Sequence, residues 1–230
     1  MNARSGLLDD IKSALRPNGL FVRGVAVFGE GDGPLLRDGR HAASVVLVGN
    51  AGGSFWEAFD DWHRQHVRAV EHPLDTWSKQ VIGEAAERFG ATAYYPSDPP
   101  YQPFQQWAMH AEGLKASPLG ILIHPEFGLW HGYRGALGFS MALAASGRVE
   151  RHPCDHCPDK PCLTSCPVAA IRMDSFDVAA CRSHLATPTG QAGCMMSGCL
   201  ARNACPVGEE HRYPEGQIRF HMRALTLPAV

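Results

Sequence analysis

Cys154-Asp-His-Cys157-Pro-Asp-Lys-Pro-Cys162-Leu-Thr-Ser-Cys166-Pro167 is the stretch on which the reading of this chain turns. Four more cysteines follow, at Cys181, Cys194, Cys199 and Cys205, the last again followed by a proline, Pro206. No cysteine precedes Cys154 in a chain of 230 residues, so whatever the eight do is confined to the last third. The start, Met1-Asn2-Ala3-Arg4-Ser5-Gly6-Leu7-Leu8-Asp9-Asp10, has no apolar h-region, and export is not expected. The expected location is therefore cytoplasmic, where thiols stay reduced and clustered cysteines read as metal ligands rather than a disulfide framework.

The spacing specifies which metal. The common bacterial ferredoxin run is C-x2-C-x2-C-x3-C-P, whose fourth cysteine ligates the other of two clusters. In this chain the gap between Cys157 and Cys162 is four residues, but the C-x3-C-P ending is intact and Val168-Ala-Ala-Ile171 follows. Closely spaced thiolates wrap one cubane, and a cysteine one helical turn further points away from it. The spacing thus predicts two 4Fe–4S clusters, one on Cys154, Cys157, Cys162 and Cys205, the other on Cys166, Cys181, Cys194 and Cys199. The residue count alone also allows two zinc sites of four cysteines each, although these usually pair two CxxC knuckles and lack a proline after the fourth ligand. His152 and His156 flank ligands; of the two readings, hydrogen bonds to sulfur that tune the potential or plain exposure, exposure is preferred.

The preceding residues are 1–150, taken as an α+β core, with 151–230 as a small ferredoxin-like domain; the join is placed near Val149-Glu150-Arg151-His152-Pro153. Leu7, Leu8, Ile11 and Leu15 recur at helical spacing and stop before Pro17-Asn18-Gly19. Phe21–Phe28 and Ala43–Val48 read as strands. Ser54 is placed as the cap of a helix whose face is Phe55, Phe59, Trp62, His66 and Val70. Further helices are expected over Asp75–Phe89 and around Phe104, Trp107, Ala108 and Ala111. Ala91–Tyr95, Gly120–His124 and Tyr133–Phe139 are the remaining strands, the last two closing the sheet. Without a regular βαβ alternation the class is α+β rather than a doubly wound sheet. The core shows neither a G-x-G-x-x-G nor a P-loop pattern. With a formal net charge of −2 there is no basic field for nucleic acid, and no apolar run reaches membrane length.

Most of the chain resembles epoxyqueuosine reductase, a cobalamin and double 4Fe–4S enzyme. The corresponding stretches are Ala43-Ser-Val-Val-Leu-Val-Gly49, Trp107-Ala-Met-His-Ala-Glu-Gly-Leu114, Ile121-Leu-Ile-His-Pro-Glu-Phe-Gly-Leu-Trp130 and Asp177-Val-Ala-Ala-Cys181-Arg-Ser-His-Leu185. The middle is also similar to the cobalamin-processing protein of the methylmalonic aciduria and homocystinuria type C family. There the matching segments are Pro73-Leu-Asp75, His110 and His124-Pro-Glu-Phe-Gly-Leu-Trp-His-Gly-Tyr-Arg134-Gly. Both resemblances imply a flavin-reductase-like, nitroreductase-related core that binds cobalamin with no protein nitrogen on the cobalt. They imply cofactor contacts from His110, Gly113, Gly120, His124, Phe127, Trp130 and Arg134.

The departures shape the expected function. Where epoxyqueuosine reductase carries an acidic proton donor, this chain reads Pro99-Pro100-Tyr101-Gln102-Pro103. The sequence also runs to Val230 with no helical-repeat extension, and with its net charge a tRNA substrate is not expected. The processing protein, for its part, has no ferredoxin segment. The resemblances together imply an oxidoreductase whose two clusters pass electrons to a cobalamin, with a small-molecule cofactor or substrate and a redox donor protein as partners. The alternatives are a non-catalytic electron carrier with a partner-docking core, and a divergent epoxyqueuosine reductase.

Overall fold

Ile11 and Leu15, the inner face of the first apolar repeat, are fully buried on helix α1 (Ala3–Leu15). A short 3-10 turn over Arg16–Asn18 follows and ends on Gly19 at φ 63°. A side chain at Gly19 would strike the Ser54 carbonyl oxygen, 1.8 Å from an added Cβ, so this reversal needs glycine. The structure, a computed structural model, describes residues 3–66, 70–147 and 151–226. Val149 and Glu150, at the expected join, lie outside the described residues.

The chain divides into two compact units, one made of Met1–Gly113 and Gly132–Val149, the other of Leu114–His131 and Glu150–Val230. In the first, β1 (Phe21–Val27) pairs antiparallel with β2 (Ser44–Ala51), with a shift of register between Val22 and Gly24. Val45 to Val48 have no exposed surface. A continuous apolar run is what a strand covered on both faces requires.

Helix α2 (Trp56–His66) and helix α3 (Pro73–Arg88) bring Phe55, Phe59 and Trp77 together, with ring centres 5.6 to 6.1 Å apart. Ser54 does not spend its hydroxyl on capping α2; its Oγ donates to the Gly19 carbonyl at 2.7 Å. His63 stacks on Phe59 and His66 on Trp62, so both histidines serve packing. Strand β3 (Thr92–Tyr94) and helix α4 (Phe104–Glu112) follow, and Trp107 of α4 packs edge-on against Phe28 and Tyr94.

The second unit opens with a small antiparallel pair, β4 (Lys115–Ala116) and β5 (Leu122–Ile123). Strand β6 (His131–Phe139) returns to the main sheet, whose order is β1-β2-β6-β3. The expected strand over Gly120–His124 therefore shortens to Leu122–Ile123 and pairs with β4 rather than closing the main sheet. The rest of the second unit consists of short helices: α5 (Val178–Leu185), α6 (Pro188–Ala192), α7 (Cys194–Ser197), α8 (Leu200–Asn203) and α9 (Glu215–Arg223). Among the described residues no helix is long and apolar enough to cross a membrane. The architecture is mixed: one unit is a helix-covered, antiparallel-rich sheet and the other is helical and bears the cysteines.

Candidate metal centre

Two 3-10 turns, Pro153–His156 and Pro161–Leu163, carry Cys154 and Cys162, and each begins on a proline. That position has no intrahelical partner for an N–H, so proline costs nothing there. Between them Lys160 adopts a left-handed conformation at φ 38°. Its ammonium donates to the carbonyls of Cys154 at 3.1 Å and Cys157 at 3.0 Å, which closes the loop around the first two thiols. Cys205 comes from far along the chain. It is held by a close approach in which Gly128 at φ 55° and Gly208 at φ 67° leave no room for side chains. An added Cβ on Gly128 would lie 1.8 Å from the Val207 oxygen. Cys154, Cys157, Cys162 and Cys205 line one apolar pocket, walled by Leu119, Ile123, Leu129 and Val207.

The other four cysteines sit among capped helices. Asp177 caps α5, accepting the Ala180 N–H at 2.8 Å, and α5 presents Cys181. Thr187 caps α6 by accepting the Gly190 N–H at 3.0 Å. Cys194 opens α7 and Cys199 precedes α8. The Sγ of Cys166 accepts the Ala170 N–H at 3.4 Å.

Burial pushes the Cys154 thiol up to about 11, with further upward pressure from Cys205, Cys162 and Cys157. Burial also raises Cys162, followed by Cys205 and Cys157, and it raises Cys205, on which Cys157 acts too. Cys181 is raised by burial, then by Cys199, Cys166 and Cys194. Cys199 is raised by burial, with Cys194 and Cys166 adding to it. Each of these thiol–thiol influences falls inside one of two sets, Cys154/Cys157/Cys162/Cys205 or Cys166/Cys181/Cys194/Cys199. Among the described residues no group of three or more His, Cys, Asp or Glu could hold a single metal ion. Tetrahedral zinc, with metal–sulfur bonds of about 2.3 Å, needs thiolates about 3.8 Å apart. A cubane instead presents each thiolate to a different iron.

The residues implied as cofactor contacts divide between the units. His110 is exposed on α4, Gly113 ends that helix at φ 74°, and Arg134 lies on β6 with its guanidinium 5.9 Å from the Phe55 ring centre. These three belong to the first unit, while Gly120, His124, Phe127 and Trp130 belong to the second. Gly120 is exposed in a turn at φ 75°. His124 stacks on Phe127 with centres 4.3 Å apart, and its Nδ1 accepts the N–H groups of Glu126 at 3.1 Å and Phe127 at 3.2 Å. Trp130 is only 1% exposed. Its ring lies 4.3 Å from the Arg202 guanidinium and 5.3 Å from Tyr213, so it is a pillar of the second unit.

His152, read as exposed, has a side chain only 9% exposed. It sits within 3.3 Å of the Lys115 carbonyl and 3.6 Å of Asp155. His156 is exposed. Sequence reading passed over Lys160 and a trio in the first unit, the buried Arg23 and Glu112 with the half-buried Tyr133; no pattern marks residues so far apart along the chain.

No family model and no curated protein sequence matches the chain. Its structure is similar to the crystal structure of a C. elegans B12-trafficking protein, CblC, a homologue of human MMACHC. The TM-score is 0.54 at 14% identity, over 97% of this chain and 94% of that one. At that identity the likeness is one of fold.

Proposed function

We propose that this chain holds two 4Fe–4S clusters on its eight cysteines and passes single electrons to a cobalamin bound by the same polypeptide, in reductive cobalamin processing or a cobalamin-dependent reduction. The observation that carries the reading is the sorting of the thiols into two sets of four. Burial first, and neighbouring thiols after it, make Cys154, Cys162 and Cys205 in one set and Cys181 and Cys199 in the other harder to ionise, a penalty that a bound cationic centre would relieve. The first set also shares a pocket with apolar walls, and the surroundings of the sulfurs control solvent access and redox potential.

When bound, such clusters supply single electrons at a potential set by their surroundings. The chain's own part is to hold and shield them. Lys160 fixes the Cys154–Cys157 loop, and Leu119, Ile123, Leu129 and Val207 keep water from the first set.

Cobalamin enters the proposal through the fold shared with the B12-trafficking protein. His124 fits a cobalt free of protein nitrogen. With Nδ1 engaged as an acceptor of two N–H groups, the neutral ring carries its proton on Nε2 and offers no lone pair there. A redox donor protein would resupply the electrons.

Anaerobic purification followed by metal and sulfide analysis tests the first half. About eight iron atoms per chain are expected, and stoichiometric zinc without acid-labile sulfide would sink it. Electron paramagnetic resonance of Cys205→Ser and Cys166→Ser should then show damage to different clusters. Titration with cobalamin at tens of micromolar protein should shift the absorbance toward the base-off form, since even binding of about −6 kcal/mol registers there. Intact clusters with no such shift would leave the non-catalytic electron carrier as the better reading.

A further inference from the structure

We infer that His184 sets the reduction potential of the cluster held by Cys166, Cys181, Cys194 and Cys199 by donating its ring N–H to the Cys194 sulfur. The inference rests on the two-cluster reading and adds a positioning residue to it. His184 Nε2 lies 3.8 Å from Cys194 Sγ, within reach of an N–H···S hydrogen bond. A ligating thiolate has no proton to give, so the imidazole must be the donor.

The local structure holds His184 in place. Cys181 and His184 stand three residues apart on α5 and so share a face of that helix. The Thr187 N–H and hydroxyl both donate to the His184 carbonyl, at 2.9 and 2.8 Å. Gly190 packs so near that an added Cβ would lie 2.0 Å from the same carbonyl oxygen. On the other side Cys194 is 6% exposed and packs with Leu185, Met195 and the half-buried Cys181 and Met222. In such surroundings water competes weakly for the sulfur. Reduction adds negative charge to the cluster and its thiolates, and a donor aimed at a sulfur stabilises that state, so the potential rises.

The test is an anaerobic redox titration of the loaded protein followed by electron paramagnetic resonance. The wave lost in Cys181→Ser identifies the second cluster. His184→Phe keeps an aromatic ring and removes the donor. It should lower that wave alone by about 59 mV, a tenfold change in the ratio of oxidised to reduced cluster. His184→Gln, whose amide can donate from a similar position, should recover most of the shift, and the other wave should move in neither variant. Should His184→Phe prevent assembly, His184→Leu is equally donorless and smaller.

An unmoved wave in the donorless variant, with both clusters present, overturns the role of His184 and leaves the two-cluster reading intact. Equal shifts in the donorless and Gln variants also overturn it, because they mark a packing effect. Wild-type protein without iron and sulfide removes both readings, and this is known before any potential is measured.

Discussion

Glu112 ends α4 with its carboxylate turned inward, and the residue is 5% exposed. Arg23 donates to it at 3.1 Å and the Tyr133 hydroxyl at 2.6 Å, while the second Arg23 nitrogen donates to the Asn50 carbonyl at 3.1 Å. Burial raises the Glu112 pKa, and the charge of Arg23 and the two hydrogen bonds pull against it without winning. Burial also pushes Tyr133 up, with the Glu112 charge adding to it. Between the ordinary carboxyl value of 4.5 and the raised one, the folded chain holds more protons than the unfolded chain. Stability contributed by Glu112 is therefore complete below that window and lost as pH rises through it. Glu112→Gln should flatten this part of the stability–pH profile, as read by urea unfolding at a series of pH values. Arg23→Met strands a buried carboxylate and should cost about 3–5 kcal/mol at neutral pH. A cost below about 1 kcal/mol would mean that water reaches Glu112 and that the trio is not sealed.

At the scale of elements, the loop Phe127–Gly128 against Val207–Gly208 is a tightly constrained junction of the second unit. Gly128→Ala must hold a left-handed backbone at φ 55° and displace the Val207 carbonyl, which lies two residues beyond Cys205. The strain alone is worth about 1–2 kcal/mol. The displaced carbonyl should also draw Cys205 from its pocket, lowering both the melting temperature and the iron content per chain. A lower melting temperature with full iron would show that the Cys205 loop is set elsewhere.

Helices α1, α3 and α4 and strands β1 and β2 were legible because each carries several turns or residues of one apolar period. Strand β5 was not, since five apolar-rich residues, Gly120–His124, cannot announce which sheet they join. For the candidate site, cysteine spacing pointed to the region but not to its walls. Leu119, Ile123 and Leu129 precede the first cysteine and look like more of the core, and only the fold gives them to the pocket.

At the scale of the whole molecule, the two compact units are not consecutive stretches of sequence. The chain leaves the first unit at Gly113, gives Leu114–His131 to the second, and returns at Gly132. Within the second unit that segment contributes to one cluster of buried residues, Leu119, Ile123 and Leu129 packing with Cys162, Ile171 and Ala201. Arg202 donates to the Leu129 carbonyl and covers Trp130, and His152 meets the Lys115 carbonyl. A fragment of residues 151–230 would lose these partners. Each of the three aliphatic side chains brings about 1.5–3 kcal/mol when buried. A core this small supplies only about 3–5 kcal/mol of net stability, so the loss is as large as what the fragment has to spare. The expected outcome is that 151–230, reconstituted anaerobically, fails to hold the cluster on Cys154, Cys157, Cys162 and Cys205, whereas 114–230 holds both. Iron and sulfide content with electron paramagnetic resonance of the two fragments decides it. A 151–230 fragment with about eight irons and the full-length spectrum would show that Leu114–His131 covers the metal centre without being needed to build it.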